Sequence, residues 1–418
     1  MIRHNRISVN TQLFVAALFG SCFFLRKCKI SVIRRNFPLY RVPFFHYDKR
    51  VKHFMKLCTK TMEVSQMKKF SAFLALILAL SLLAGCAGTP VIYYTDCTCP
   101  VGGHTPQAPV VAEGALKTGL YIAASAAEST SAGEKDGEAK YDVTIVAVLV
   151  DDKGVIVDCI IDSLGTSVKF GTNGAITSDL TAAVQTKTEL GDAYNMKTYG
   201  NAKAEWYEQA AAFADYVTGK TLEQVKGIAV DAGTKPTGTD LTATVTIAIG
   251  GFQAAIEGAV NAAQHLGAQA GDELKLAVIA SLGSSAAATA EKAGTAQLDA
   301  DVTALTVKGD VITSCVIDSL QGKVSFDAAG QITGDVSAPL KTKNMLGDAY
   351  NMKTYGNAKA EWNEQAASFA AYVTGKTLAD VQGIAVDAGT KPTEADLKTS
   401  VTIAIGGFQA LIAKALAQ

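Results

Sequence analysis

Few residues in this chain could carry chemistry, and most of those that could occur twice. Glu205 and Glu208, with Glu361 and Glu364, offer carboxylate pairs for acid and base work, but at i and i+3 on a helix they read equally as a solvated face. Tyr194, Tyr199 and Trp206, repeated as Tyr350, Tyr355 and Trp362, could stack on a flat ligand, or the tryptophans could anchor a core. Cys159 and Cys315 sit in the alternating stretches Val-Ile-Val-Asp-Cys-Ile-Ile-Asp and Val-Ile-Thr-Ser-Cys-Val-Ile-Asp, where a lone thiol is expected as a small core residue. Hydroxyl groups gather in Asp240-Leu-Thr-Ala-Thr-Val-Thr246 and Asp396-Leu-Lys-Thr-Ser-Val-Thr402, each just ahead of a helical pattern whose unpaired N–H groups could receive a phosphate oxygen. The same residues also read as strand with threonine outward. The histidines are His4, His46, His53, His104 and His265, so neither repeat core supplies one for a nucleophilic triad. Walker A, dinucleotide-fingerprint and paired-cysteine zinc motifs do not occur.

The doubling is a gap-free duplication. Thr186 to Ala259 and Thr342 to Ala415 align at an offset of 156 and differ at 16 of 74 positions. Leu190 to Trp206 is identical to Leu346 to Trp362, and Gly227 to Thr237 to Gly383 to Thr393. The period is too long for a solenoid, which leaves tandem globular domains doing related work. Each is expected over residues 114–266 and 267–418, and each is long enough to fold alone around its own core.

The elements that must position these groups change period along each repeat. In the first, Tyr141 to Val150 and Val155 to Asp162 alternate around Asp151-Asp152-Lys153-Gly154, a hairpin signal, and Ser167 to Ile176 reads as a further turn-interrupted β segment. Trp206, Ala210, Phe213 and Val217 then recur at helical spacing before Gly219, as do Trp362, Ala366, Phe369 and Val373 before Gly375. Val245, Ile247 and Ile249 alternate again, and a last helix is expected from about Phe252 to His265. Strands first and helices later predict an α+β fold, two homologous domains each with an antiparallel sheet and C-terminal helices.

Composition is that of an ordinary globular chain, 418 residues with 49% hydrophobic and 18% charged side chains. The net charge of −1 conceals an asymmetry: of 38 Lys and Arg and 39 Asp and Glu, residues 1–66 hold 13 and 2, which leaves 25 and 37, a charge of −12, for the remainder. That argues against nucleic acid as a partner. No arginine follows Arg50. Residues 1–66 resemble nothing in the repeats and read as a non-native extension, because a complete export signal starts at Met67. Lys68-Lys69, an apolar run from Phe70 to Leu80 and Leu83-Ala84-Gly85-Cys86 follow in order. The last four resemble the lipobox of bacterial lipoproteins, which implies cleavage before Cys86 and a lipid-anchored cell-surface protein outside the cytoplasmic membrane. Residues 87–113, with Pro90, Pro100, Pro106 and Pro109, read as a tether, and Cys97, Cys99 and His104 within it lack a fourth metal ligand.

The repeated block, with its Thr-Lys-x-x-Leu-Gly-Asp stretch, tryptophan helix and Asp-led threonine-rich segment, resembles the FMN-binding domain family. Two such domains behind a lipobox are similar to the tandem-flavin lipoproteins of Gram-positive extracellular electron transfer. The family attaches FMN through a phosphoester to a threonine in Asp-x-x-(Ser/Thr)-Gly-Ala-Thr, using a separate flavin transferase. By that resemblance Thr402 and Thr246 are the attachment sites, with Thr399, Asp396 and Asp240 beside them. Ser400 and Val401 stand for Gly and Ala, and Ala243 occupies the hydroxyl position in the first repeat. The family's Glu-Thr-Pro-Gly-Leu-Gly stretch is partly kept, with Leu190-Gly191 and Leu346-Gly347 as further cofactor-binding positions. The resemblance implies a membrane-anchored electron relay fed by a donor such as a quinone-linked dehydrogenase. A flavin-free repeat protein that binds another ligand or a surface partner is the alternative. The missing arginines suit the first reading, because an esterified phosphate is held by its bond and needs no guanidinium.

Overall fold

The computed structural model describes residues 114–356 and 358–418. Strands β1 (Lys117–Ser125), β2 (Gly137–Val150) and β3 (Ile156–Phe170) form an antiparallel sheet in that order, and β4 (Glu273–Ser281), β5 (Gly294–Lys308) and β6 (Val311–Phe326) form its copy. The Asp151 hairpin is as the sequence predicts: Asp151 Oδ1 accepts the N–H groups of Lys153 and Val155, each at 2.8 Å, and Gly154 takes a positive φ of 79°. The turn expected around Thr172-Asn173-Gly174 also forms, with Phe170 bridged to Ile176 and the Gly174 N–H donating to the Gly171 carbonyl at 3.0 Å, while β3 runs unbroken from Ile156 to Phe170 and β1 joins the sheet as a strand the sequence reading did not place.

Helices follow each sheet, which gives two similar α+β domains. In the first these are α1 (Lys187–Leu190), α2 (Met196–Gly200), α3 (Trp206–Val217), α4 (Leu222–Lys226) and α5 (Gly250–Ala262). In the second they are α6 (Lys343–Leu346), α7 (Met352–Tyr355), α8 (Trp362–Val373), α9 (Leu378–Gln382) and α10 (Gly406–Leu416). Trp206, Ala210, Phe213 and Val217 form one buried stripe of α3, and Trp206 meets Phe252 of α5 edge to face at 5.8 Å between centroids. Helix α5 crosses β1 at Gly119, where a Cβ would stand 2.1 Å from the Ala259 carbonyl oxygen.

Alternation along β2 divides the interior. Tyr141, Val143, Ile145, Ala147 and Leu149 point to one side, Val146, Val148 and Val150 to the other. The second set packs under α3 and α5, and the equivalent cluster of the second repeat packs under α8 and α10. The first set meets the other repeat's sheet, and together they build a single core that contains residues of all six strands. Phe170 and Phe326 stack across it at 4.1 Å, the Tyr141 hydroxyl donates to the Ala296 carbonyl at 2.8 Å, and Thr118 Oγ1 lies 2.7 Å from Ser314 Oγ. This corrects the expectation of two self-sufficient cores. Each repeat has its own helix-side core, but the opposite face of each sheet is covered by its homologue.

Candidate functional site

Thr402 lies in the segment between a 3-10 turn (Leu397–Thr399) and α10. Leu397, Val401 and Ile405 are buried at 1%, 0% and 0% exposure, and this i, i+4, i+8 stapling turns Thr402 outward. The expected strand here is not formed. Instead the Thr402 main-chain N–H and Oγ1 both donate to Gln365 Oε1 of α8, at 2.8 and 3.0 Å, and the Ile405 N–H donates to the Thr390 carbonyl. Gln365 is almost fully buried and is itself fixed by donating Nε2 to the Ala360 carbonyl at 2.9 Å. The first repeat copies the arrangement: Thr246 N–H and Oγ1 donate to Gln209 at 2.8 and 3.1 Å, and Gln209 donates to the Ala204 carbonyl at 2.9 Å.

Each threonine opens into a small polar cavity. Around Thr402 it is about 310 Å³, walled by Lys353, Lys359, Glu364, Thr399 and Ser400 as well as Gln365. Around Thr246 it is about 250 Å³, with Lys203, Glu208, Ala243 and Thr244 in the corresponding places. Lys353 Nζ is engaged by Asp348 at 3.1 Å and Glu364 at 3.3 Å, whereas Lys359 and Lys203 make no ion pair among the described residues. Thus each cavity pairs an exposed hydroxyl with an uncommitted ammonium and further hydroxyl donors, a set suited to a phosphate group.

The loops that carry the lysines hang on Glu205 and Glu361, each 2% exposed. Glu361 Oε2 and Oε1 accept the N–H groups of Met352 and Lys353 at 2.7 and 3.0 Å, and Glu205 does the same for Met196 and Lys197 at identical distances. This corrects the solvated-face reading for these two residues. Glu208 and Glu364 do face solvent, and both pKa values are lowered, first because each accepts the main-chain N–H of Glu205 or Glu361 and second because each pairs with Lys197 or Lys353.

The remaining expected site residues are placed more loosely. Thr399 lines the cavity of Thr402, and its Oγ1 donates to the Asp396 carbonyl at 2.7 Å, so Asp396 shapes the turn through its main chain. The Asp240 carboxylate accepts the Tyr216 hydroxyl at 2.7 Å, which lowers its pKa, and lines neither cavity. Leu190-Gly191 and Leu346-Gly347 also lie outside the linings; they close α1 and α6, where Gly191 and Gly347 adopt positive φ of 51° and 49°. Those short helices dock on two buried carboxylates. Asp162 Oδ1 accepts Thr188 Oγ1 at 2.8 Å, and Asp318 Oδ1 accepts the Asn344 N–H at 3.0 Å. Burial pushes Asp318 up to about 6 and raises Asp162.

Trp206 and Trp362 are core anchors, at 5% and 6% exposure, while Tyr199 and Tyr355 stand 87% exposed. Cys159 and Cys315 are buried free thiols in the helix-side cores, and burial raises both far from reactivity, Cys315 to about 12. The lipobox with Cys86, the tether and Cys97, Cys99 and His104 lie outside the described residues. Sequence reasoning missed Gln209 and Gln365 altogether. The available signal was their place: both follow the longest block identical between the repeats by one helical turn. No protein-family model, curated protein or solved structure matches the chain.

Proposed function

We propose that the protein is a membrane-anchored extracytoplasmic flavoprotein that relays electrons through FMN esterified at Thr402 and, in the first repeat, at Thr246. The observation that carries this reading is the doubled cavity, in which an exposed threonine hydroxyl, held by a buried glutamine, shares the lining with a lysine that makes no ion pair among the described residues. These residues fit the phosphate end of the cofactor. Lys359, Ser400 and Thr399 would contact its oxygens in the second repeat, and Lys203 and Thr244 in the first. The polar linings offer no wall for a flat ring, which is left to the exposed surface near Tyr355, two residues beyond the cavity-lining Lys353. When bound, FMN supplies the reversible electron transfer, and the protein sets its place and potential. Esterification removes the proton that Oγ1 gives to Gln365, so the Thr402 N–H alone then holds the glutamine oxygen, and the loop keeps its position through that bond.

Two measurements test the reading. Co-expression with a flavin transferase should give a yellow protein whose mass rises by one FMN less a water for each modified threonine, and Thr402→Ala should remove the adduct from the second repeat with the fold unchanged. A colourless, unmodified product after such co-expression leaves the flavin-free ligand- or partner-binding alternative standing. For the anchor, Cys86→Ser should move the protein from the membrane fraction to the medium; full retention by the membrane would refute lipid attachment at Cys86, whatever the flavin result.

A further inference from the structure

The 16 differences between the two copies are unevenly spread. All of them lie outside the two identical blocks, and exposed positions elsewhere have changed freely: Thr188 against Asn344, Asp215 against Ala371, and Glu223 against Ala379. Packing does not hold an exposed residue, and substitutions there usually stay within about 0.5 kcal/mol. The block Gly227 to Thr237, with its copy Gly383 to Thr393, is nevertheless unchanged although nearly all of it is exposed. Its tip is a turn in which Asp231 Oδ1 accepts the N–H groups of Gly233 and Lys235 at 2.8 and 2.9 Å, and Asp387 does the same for Gly389 and Lys391. That accounts for the aspartate alone. Thr234 and Thr390 stand in the left-handed region at φ 58° and 57°, which costs a β-branched residue energy that glycine would not lose. Val230 and Val386 are 37% exposed, and Lys235 and Lys391 make no ion pair among the described residues. The fold does not ask for these side chains.

The turn stands beside the candidate threonine in each repeat. The Thr234 carbonyl accepts the Ile249 N–H at 2.8 Å and the Thr390 carbonyl accepts the Ile405 N–H at 2.9 Å, three residues after Thr246 and Thr402. Both turn threonines also lie against the first residue of the following helix, where a Cβ on Gly250 or Gly406 would come within 2.9 or 3.1 Å of them. On the other side, the longer identical block supplies Lys203 and Lys359 to the cavity walls, with Tyr199 and Tyr355, each 87% exposed, between them and the start of α2 or α7. The two blocks thus bracket each hydroxyl, and each bracket presents an exposed apolar group and a lysine outside any ion pair among the described residues. The chain beyond residue 66 carries a charge of −12, yet both hydroxyls have this basic and apolar rim. A partner that acts on both repeats must meet the same surface twice.

We infer that Val386 and Lys391 of the turn, with Tyr355 and Lys359 of the longer block, form the docking surface for the enzyme that esterifies Thr402, and that their copies serve Thr246. The inference rests on the flavin reading and adds where the transferase binds: its matching face is acidic and apolar around the bound donor. In the transfer the Thr402 Oγ1–P bond forms, the diphosphate bond of a flavin dinucleotide breaks, and the released nucleoside monophosphate takes the Oγ1 proton. The test uses the full chain co-expressed with a flavin transferase, and mass spectrometry of proteolytic peptides measures the adduct on each threonine. Val386→Asp combined with Lys391→Glu should lower loading of Thr402 about tenfold and leave Thr246 as it was, and Val230→Asp with Lys235→Glu should do the reverse. Ala379→Glu, at an exposed position outside both blocks, should change neither. Because the repeats share a core, undiminished loading of the other threonine also reports that the variant is folded. Loading of Thr402 that survives the double substitution would overturn the docking surface and leave the flavin reading standing. No adduct on either threonine of the unaltered protein would overturn both.

Discussion

Residues 267–418 expressed alone are expected to show no cooperative, concentration-independent melting transition. Removing the first repeat strips the cover from Leu274, Leu276, Val278, Leu282, Leu298, Val302, Leu320, Val324 and Phe326, all at most 5% exposed in the intact protein. At about 1.5–3 kcal/mol for each large apolar side chain fully returned to water, the loss from these nine is roughly 15–25 kcal/mol. That equals or exceeds the whole stability of a typical domain, about 5–15 kcal/mol. The helix-side core around Trp362, Phe369 and Phe408 remains, so the isolated half should collapse and retain helix without fixed packing. Because the repeats are homologous, self-pairing is the one escape, and it would reveal itself as a melting temperature that rises with protein concentration. Adding residues 114–266 should restore the transition seen in the intact chain. A monomeric 267–418 that melts as sharply as the whole protein would show that the sheet-to-sheet core contributes little.

The reason the sequence did not disclose this shared core lies in β2. From Ile145 to Val150 every residue is apolar and every one is buried, so the strand reads plainly as covered on both faces. Helices account for one cover. Nothing local says that the other is a second copy of the same sheet, because each Tyr141 or Phe170 sees its partner only across more than a hundred residues of chain. What depends on local spacing was legible: the Asp151 turn, the tryptophan helix, the buried cysteines and the helix after Phe252 all stand where their patterns put them. The alternation of Val245, Ile247 and Ile249 misled, since Val245 and Ile249 do point inward but the intervening N–H groups go to Gln209 and Thr234 instead of to a ladder. A two-residue period needs only a chain pinned at both ends. The candidate site divides in the same way. The threonines could be picked out by type and position, whereas Gln365 looks in sequence like any polar helix residue and acquires its role only when the loop of Thr402 closes over it.

Glu361→Ala should be the most damaging single substitution near the candidate site. The carboxylate is buried at 2% exposure and accepts two main-chain N–H groups, from Met352 at 2.7 Å and Lys353 at 3.0 Å, at the start of α7. Bonds to a charged acceptor contribute more than neutral ones, and truncation leaves both donors facing a protein wall, so the expected cost is roughly 3–5 kcal/mol. In a chain of this size that corresponds to a fall in Tm on the order of 5–10 °C. Glu361→Gln keeps one acceptor and should fall between the two. The neighbouring Glu364 is half exposed at 52%, accepts the Glu361 main-chain N–H at 2.7 Å as part of the α8 capping box and pairs with Lys353 at the surface, so Glu364→Ala should cost only about 1–2 kcal/mol. Glu205→Ala should reproduce the Glu361 effect, because its two bonds have the same lengths in the first repeat. The damage should also reach the cavity: once the Lys353 N–H is released, the segment from Lys353 to Ala360 loses its anchor, and with it the lysines that face Thr402 and the carbonyl that orients Gln365. Thermal melts of the four variants decide the matter. If Glu361→Ala and Glu364→Ala destabilise equally, the buried carboxylate is not what holds this loop, and the geometry around Thr402 must be maintained by Gln365 alone.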